Sequence, residues 1–166
     1  MLIRPFGDDD SYDELTDVLH RAYAELAQRG WNFTASYQDV ATTRERVSKG
    51  DTFVAVAGGR LVGTVTIGTD VWDDDPDLYK RPDVAVLCQF GVLPEYRGLK
   101  VGDALYQKVL EESRLRGFRE VGLDTPETAR HLIEYYERRG FRIVGHHQWH
   151  GKTYRSVVMA KPVADL

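Results

Sequence analysis

The chain has 166 residues, of which 42% are hydrophobic and 29% are charged, a balance that suits one globular domain and leaves little room for a second. Its formal net charge of -4 argues against a general nucleic-acid binder. The one cysteine, Cys88, excludes an internal disulfide framework and a thiolate zinc site, so we expect a reducing, cytoplasmic setting. The first ten residues lack the apolar region of a secretory signal, and no long apolar run follows, so we expect neither export nor a membrane span.

Two helices are predicted in the first third of the chain. Ser11 and Glu14 have the spacing of a capping box, and apolar residues then recur with a helical period up to Gly30. This pattern predicts an amphipathic first helix. The next segment has a weaker periodicity, which predicts a short second helix over 42–47 after a loop.

Three strands are predicted next. The runs 53–57 and 61–67 are rich in β-branched residues and flank a Gly-Gly turn, a pattern typical of an antiparallel hairpin. After an acidic loop, the apolar run 84–93 stops at Pro94. The length and boundaries of this run favour a buried central strand.

The second half of the chain is predicted to alternate helices with strands. The predicted elements, in order, are a helix that opens at 98–102 and ends at Gly117, a parallel strand at 121–124, a helix that ends at Gly140, and strands at 141–144 and 153–160. We expect Thr125 to be the N-cap of the second of these helices and Pro126 to be its first residue. A meander that leads into a strand–helix–strand unit predicts an α+β, or mixed α/β, fold rather than a regularly alternating doubly wound sheet.

The turn after the central strand has the composition of an anion site. It contains Gly98 and Gly102 together with Arg97 and Lys100. Such a turn directs unpaired backbone N–H groups and the positive end of a helix toward an anion. Its spacing fits neither the Walker A loop nor the dinucleotide GxGxxG pattern. By itself the pattern also fits a solvated turn in which the glycines only permit the bend.

Two separated motifs resemble those of a known family. The stretch V-L-P-E-Y-R-G-L-K-V-G-D-A-L at 92–105 resembles the acetyl-CoA motif of the GNAT acetyltransferase superfamily, and the stretch from Tyr136 to Phe141 resembles its Y-x-x-x-G-F motif. The predicted elements also follow the family order over most of the chain. The resemblance implies one domain over 1–166 with a central, mostly antiparallel mixed sheet, a splayed parallel strand pair and helices on both faces.

The resemblance also implies acetyl-CoA as the co-substrate. Pantetheine would pair with exposed strand backbone, and pyrophosphate would sit on the amides of the turn that follows. The cofactor-binding residues implied in this way are Phe90, Val92, Arg97, Gly98, Leu99, Lys100, Val101 and Gly102. Lys100 stands where the family has its first glycine, so the backbone must tolerate a Cβ there, and its ammonium is placed to touch phosphate. Ala129 stands where the family often has an Asn that bonds the cofactor.

Acetyl transfer to an amine releases a thiolate, and a proton donor at the sulfur lowers the barrier. The resemblance implies that Tyr136 is this acid, acting while the amine attacks directly. As a plain helix residue, Tyr136 would be a core aromatic on the same face as Leu132. The central strand has no carboxylate on the face of Val86 and Cys88, so we expect a water to relay the amine proton. We expect Cys88 to pack rather than to accept acetyl.

The acceptor is predicted by class only, as a primary amine of a small molecule or of a peptide N-terminus. Trp31, Phe33 and Trp149 fall where the family usually forms its acceptor pocket, but exposed aromatics equally fit a dimer surface, so a homodimer stays open. The histidine-rich segment 146–150 has no clear ligand spacing, and we expect no metal. Two rival functions also stay open, a noncatalytic acyl-CoA-binding sensor and an acyltransferase for longer acyl chains.

The net charge hides a division along the chain. Residues 1–96 carry 9 basic and 17 acidic groups, whereas residues 97–166 carry 13 basic and 9 acidic groups. The basic half begins at Arg97 and suits a polyanionic cofactor. The acidic half includes the loop 70–77, which is either a solvated loop or a segment that attracts a cationic acceptor.

Overall fold

The computed structural model describes residues 1–165, apart from the side chain of Asp165. The helices in this part of the chain are α1 Tyr12–Gln28, α2 Val40–Ser48, α3 Val101–Leu115 and α4 Arg130–Glu137. The strands are β1 Leu2–Pro5, β2 Gly50–Ala57, β3 Arg60–Gly68, β4 Val84–Val92, β5 Glu120–Pro126, β6 Arg142–His147 and β7 Ser156–Pro162. Short 3-10 turns lie at Thr34–Ser36, Asp77–Lys80 and Pro94–Tyr96.

The strands form one mixed sheet in the order β1-β2-β3-β4-β5-β7-β6. β4 is therefore the central strand, as its apolar sequence predicted. β4 and β5 are parallel, with Val84 opposite Glu120 and Val86 opposite Gly122. The pairs β1–β2, β2–β3, β5–β7 and β6–β7 are antiparallel. This mixed α/β (α+β) architecture confirms the predicted fold class.

The chain divides into two compact units, and the prediction of one domain over 1–166 stays a prediction. The first unit comprises residues 1–70 and 87–109, and the second comprises residues 71–86 and the chain from residue 110 onward. Each unit has its own buried positions and its own polar cluster, and the two are described separately.

In the first unit, β3 is covered on both faces. Every residue from 61 to 67 is buried, and continuous burial along a strand requires packing on each side. A Cβ added to Gly91 of β4 would meet Ala22 of α1, and a Cβ added to Gly63 of β3 would meet Leu105 of α3. The two helices therefore pack closely on glycines of adjacent strands.

The second unit is built on the long antiparallel pair β5–β7. Its register runs from Glu120 opposite Pro162 to Pro126 opposite Ser156. A Cβ added to Gly122 would approach Leu78 to 2.9 Å, so the segment that follows the acidic loop packs directly on the β5 backbone.

The predicted start of the last helix is wrong. Thr125 and Pro126 end β5, and Pro126 lies opposite Ser156 of β7. α4 begins only at Arg130, and its N-cap, Ala129, makes no side-chain hydrogen bond. Strand pairing with a segment 30 residues away in sequence overrides the local preference of Thr and Pro for a helix start.

β1 is absent from the sequence predictions. It has only four residues, none of them fully buried, and it lies at the edge of the sheet beside β2. No apolar alternation therefore marks it, and Pro5 is compatible with an edge position.

Three helices end in the same Schellman pattern. At each end, a glycine N–H reaches the carbonyl three residues before it, and the N–H of the next, aromatic residue reaches the carbonyl five residues before it. The three pairs are Gly30-Trp31, Gly117-Phe118 and Gly140-Phe141. Each glycine has a positive φ that disfavours other residues. Two residues singled out for function, Trp31 and Phe141, therefore also terminate a helix.

Candidate active site

The turn after β4 is hydrogen-bonded at its start and has unpaired amides at its end. The N–H of Leu93 donates to Val62 O at 2.9 Å, and the N–H of Arg97 donates to Pro94 O at 3.2 Å. The first bond that closes a turn at the start of α3 runs from Ala104 N to Lys100 O at 3.1 Å. In the described part of the chain, the amides of residues 98–102 donate no hydrogen bond. These five donors at a helix N-terminus are suited to an anion.

The side chain of Arg97 is committed to α1. Its guanidinium donates to Ala22 O at 2.8 Å and to the Glu25 carboxylate at 3.3 Å. Both its side chain and its amide already have partners, so the cradle of unpaired amides begins at Gly98. A direct role of Arg97 toward the cofactor stays a prediction, whereas its contact with α1 fixes the turn.

The backbone accommodates the Cβ of Lys100 in a left-handed conformation. Its φ is +61°, and that of Gly98 is +77°. This conformation destabilises a residue with a Cβ by about 1–2 kcal/mol, so Lys100 lowers the stability of the turn. Lys100 and Leu99 are both exposed, which places the ammonium in solvent beside the amides.

A buried cluster of uncharged polar side chains lies beside β4 in the first unit, and sequence reasoning missed it. We call it the amide–hydroxyl cluster; its members are Thr16, Gln38, Thr43, Thr52, Thr66 and Gln89, all buried. Gln38 Nε2 donates to Thr43 Oγ1 at 2.8 Å and to Gln89 Oε1 at 3.1 Å. Gln89 Nε2 reaches Thr66 Oγ1 at 3.4 Å.

The hydroxyls at the two ends of this cluster are also paired. Thr43 lies 2.6 Å from Thr16, and Thr66 lies 2.8 Å from Thr52. Arg46, at the rim, donates to Gln38 Oε1 at 2.8 Å. The cluster therefore satisfies its buried amides and hydroxyls, as a stable buried network requires.

The predicted acceptor residues of the first unit lie next to this region. Phe33 packs against Tyr23 with ring centroids 5.3 Å apart, and the Tyr23 hydroxyl donates to Phe90 O at 2.9 Å. Trp31 and Phe33 are half-buried, as are Phe90 and Val92. Cys88 is also half-buried, which is more exposed than the packing role predicted.

Tyr136 lies in the last turn of α4, in the second unit. Its carbonyl accepts from Phe141 N at 3.1 Å, and its ring meets the Phe141 ring edge-on at 5.7 Å. These are the main-chain and apolar contacts of a Schellman ending. The Y-x-x-x-G-F motif thus has a structural cause, since its glycine and phenylalanine hold the tyrosine in place. Tyr136 is half-buried, unlike the core aromatic of the alternative prediction.

The second unit contains a charged cluster at the end of β5. We call it the carboxylate–aromatic cluster; its members are Asp75, Tyr79, Asp124, His147 and Trp149. Asp124 accepts from the Tyr79 hydroxyl at 2.6 Å and from Trp149 Nε1 at 2.8 Å. The His147 ring packs edge-on against Trp149 at 4.7 Å. Trp149, a predicted acceptor residue, is thus held by a carboxylate that sequence reasoning did not single out.

Asp75 is the second carboxylate of this cluster and belongs to the acidic loop. It is only 8% exposed, and Trp72 N donates to it at 2.7 Å. Burial raises the pKa of Asp75 above its ordinary value, and the charge of Asp124 acts in the same direction. The loop is therefore partly a packed element rather than a wholly solvated one.

Two features are absent from residues 1–165. No group of three His, Cys, Asp or Glu side chains has the arrangement of a metal site. No helix combines the length and the apolar character that a membrane crossing requires.

Comparison with known proteins defines the class of this protein. Residues 12–141 match the acetyltransferase (GNAT) family. A curated relative, S-(2-succino)cysteine N-acetyltransferase of Bacillus subtilis, is 29% identical over 152 residues, which span 90% of this chain and 88% of the relative. The chain therefore belongs to the GNAT family and is an acyl-CoA-dependent N-acetyltransferase, with acetyl-CoA as its co-substrate.

Solved structures agree on the fold. The ribosomal-protein-S18-alanine N-acetyltransferase of Escherichia coli superposes with a TM-score of 0.73 at 17% identity, covering 98% of this chain and 93% of that one. An aminoglycoside 6'-N-acetyltransferase in complex with coenzyme A gives 0.69 at 18% identity, covering 98% of this chain and 97% of that one. At these identities the likeness establishes the fold.

Proposed function

We propose that the protein transfers acetyl from acetyl-CoA to the primary amine of a small molecule or a peptide N-terminus, by direct attack of the amine. The observation that carries this proposal is the turn at 98–102. It opens α3 with five amides that have no partner in the described chain and a lysine in a left-handed conformation.

The chain's own groups fit a pyrophosphate-bearing ligand at this turn. Five unpaired amides lie together at one helix N-terminus, where the helix dipole adds positive potential. They belong to Gly98, Leu99, Lys100, Val101 and Gly102. The Lys100 ammonium adds a cation at the same place. Phe90 and Val92 precede the turn on β4, and we propose that their backbone pairs with pantetheine.

We propose Tyr136 as the proton donor to the leaving sulfur. Bound acetyl-CoA supplies a thioester whose acyl carbon the amine attacks. At reference pKa values, moving a proton from a phenol to a thiolate is uphill by roughly 2 kcal/mol, so a hydrogen bond from Tyr136 to sulfur accounts for most of its effect. The ring and main-chain contacts with Phe141 restrain the ring that carries this hydroxyl.

We propose Trp31, Phe33 and Trp149 as acceptor-contacting residues. The amine that attacks must be neutral, but an alkylamine of pKa about 10.4 is neutral in only about one molecule per thousand at pH 7. A carboxylate that attracts ammonium and a water that accepts its proton are both useful here. Asp124, bonded to Trp149 Nε1, supplies the carboxylate nearest to a proposed acceptor residue in the second unit.

A binding titration tests the cofactor assignment first. Thermal unfolding is followed with CoA, acetyl-CoA and longer acyl-CoAs; a ligand at about 100 times its Kd adds about 2.7 kcal/mol of stability. We expect acetyl-CoA to raise Tm. An unchanged Tm with every one of these ligands would refute the cofactor assignment. A larger rise in Tm with a longer acyl-CoA would favour that acyl donor.

The role of Tyr136 is tested by Tyr136→Phe, with Tyr135→Phe as the matched control on the same helix. We expect Tyr136→Phe to bind acetyl-CoA normally and to lower kcat by about tenfold or more, while Tyr135→Phe retains its kcat. Thiol release is measured with a panel of primary amines. A Tyr136→Phe protein with wild-type kcat contradicts the role, and binding without amine-dependent thiol release identifies a sensor.

A further inference from the structure

We infer that Gln38 and Gln89 form a positioning pair that fixes the strand backbone next to the acyl end of the cofactor and links it to the acceptor loop. This inference rests on the proposed function, because it takes pyrophosphate at 98–102 and pantetheine along Val92 and Phe90. With that polarity, the thioester end of the cofactor lies toward Gln89.

Gln89 has a backbone conformation that its own sequence does not favour. Its φ is +48°, in the left-handed region that glutamine rarely occupies, although it lies inside β4. Position 91, two residues further along β4, is a glycine, so the chain has not placed its most permissive residue where the unusual conformation occurs. Something other than local preference must hold Gln89 there.

The side chain of Gln89 supplies that restraint. It is 4% exposed and its partner Gln38 is 2% exposed. Its Oε1 accepts from Gln38 Nε2 at 3.1 Å, and its Nε2 faces Thr66 Oγ1 at 3.4 Å. A buried amide held at both ends has one orientation, and a different backbone angle would break both contacts.

A second contact, from α1, restrains the next residue of β4, Phe90. Phe33 packs on the Tyr23 ring, and the Tyr23 hydroxyl donates to Phe90 O at 2.9 Å. The loop between α1 and α2 therefore reaches β4 directly through Gln38, which bonds the side chain of Gln89. It also packs, through Phe33, on the α1 residue that bonds the carbonyl of Phe90.

This loop also carries Trp31 and Phe33, the proposed acceptor residues of the first unit. A shift of the loop that moves Gln38 therefore changes the hydrogen bond that orients Gln89 of β4. Acceptor contacts and acyl-group placement are coupled through uncharged hydrogen bonds, which keep the same strength across the pH range in which amines are acetylated.

The test compares Gln38→Met, Gln89→Met and the double variant, since methionine preserves the length of the side chain. Each single variant leaves a buried amide without its partner and lowers Tm. The double variant removes both partners of the Gln38–Gln89 bond and recovers part of the loss, because Thr43 and Arg46 still lose their bonds to Gln38. We expect the double variant to bind CoA within threefold of wild type but acetyl-CoA about tenfold more weakly. The affinities are measured by isothermal titration calorimetry.

Two further variants separate positioning from stability. Thr52→Val removes a buried hydrogen bond from the far end of the cluster; we expect a lower Tm and an unchanged ratio of acetyl-CoA to CoA affinity. Gln89→Gly permits the left-handed backbone without the side chain. We therefore expect its ratio of acetyl-CoA to CoA affinity to lie between that of Gln89→Met and that of wild type. If the double variant fails to fold, Gln38→Glu is measured instead, because it keeps the bond from Arg46 and removes both Nε2 donors.

The outcomes distinguish this inference from the proposed function. If wild type binds neither CoA nor acetyl-CoA, both fail. If wild type binds both ligands and the folded Gln38 and Gln89 variants keep its affinity ratio, the positioning role alone is overturned. A lowered ratio in these variants with a wild-type ratio in Thr52→Val supports it.

Discussion

The two units contain polar clusters of opposite character, the first buried and the second partly buried. The amide–hydroxyl cluster of the first unit is uncharged and pairs its donors with acceptors on α1, α2 and three strands. The carboxylate–aromatic cluster of the second unit holds two carboxylates, and no salt bridge among the described residues reaches either of them. A neutral network fixes backbone geometry independently of pH. A charged network makes both stability and ligand attraction depend on pH.

The largest expected effect on stability is in the carboxylate–aromatic cluster. Asp124→Ala removes the acceptor of both Tyr79 and Trp149. Because hydrogen bonds to a charged group contribute about 1.5–3 kcal/mol each, we expect a loss of about 3 kcal/mol or more in the free energy of unfolding. Urea denaturation measures it, and Tyr79→Phe, which removes one of the two bonds, is expected to cost about half as much. Equal stability of Asp124→Ala and wild type would contradict the contribution assigned to this cluster.

The corresponding change in the neutral cluster has a smaller effect. Thr43→Val deletes a fully buried hydroxyl that pairs with Thr16 and accepts from Gln38. We expect a loss of about 1–3 kcal/mol, constant between pH 5 and pH 8 at roughly the precision of the method. A loss that changes with pH over this range would show that the cluster is not neutral.

Asp75→Asn tests the sign of the charge effect. Burial raises the pKa of Asp75, so the folded state holds its proton above the pH at which the unfolded chain has lost it. Stability therefore falls as pH rises from the ordinary Asp pKa of 3.8 through the raised folded pKa. We expect Asp75→Asn to raise Tm near pH 7, by about 2–4 °C for each kcal/mol gained, and to have little effect below pH 3.8.

This prediction is checked by scanning calorimetry at several pH values. Asp83 is the matched control, since its pKa is lowered by the bond with Arg81; Asp83→Asn is expected to lower Tm near neutral pH and to have less effect in acid. A Tm difference for Asp75→Asn that grows toward acid pH would refute the burial argument.

The smallest expected effect concerns Lys100, the lysine among the unpaired amides of residues 98–102. Lys100→Gly relieves a left-handed conformation worth about 1–2 kcal/mol, but glycine loses about 0.5–1 kcal/mol more in chain entropy on folding. We therefore expect a net gain of about 0.5–1 kcal/mol in stability. The same change removes an ammonium, so we expect weaker CoA binding that depends less on salt. Leu99→Ala, at the neighbouring exposed position, is the control for both measurements. Tighter CoA binding by Lys100→Gly would exclude the ammonium as a phosphate contact.

Local signals in the sequence predicted much of the fold. The Gly-Gly turn, the apolar run of β4 and the glycine turn before α3 all depend on neighbours in sequence, and all three elements are confirmed. The resemblance indicated that the backbone must tolerate a Cβ at Lys100, but the left-handed conformation of this residue was not predicted. Even the capping box formed only half, because Ser11 accepts from Glu14 N but the Glu14 carboxylate accepts from Leu61 N instead.

Pairs of residues far apart in the chain could not be predicted from the sequence. Gln38 and Gln89 are 51 residues apart, and Tyr79 and Asp124 are 45 apart, so neither pair carries a local pattern. The same limit explains the error at Thr125 and Pro126, whose partner strand is β7. A buried polar residue has meaning only through its partner, and the partner is set by the fold.

The most direct test of the account is a joint measurement of thiol release and acetylated amine. Wild-type protein is incubated with acetyl-CoA and a panel of small primary amines and peptides, and both products are quantified in the same sample. The account predicts one thiol released for each acetyl group found on the amine, and a much slower yield with Tyr136→Phe at unchanged acetyl-CoA affinity. Tight acetyl-CoA binding with no amine acetylated, or thiol release independent of any amine, would contradict it.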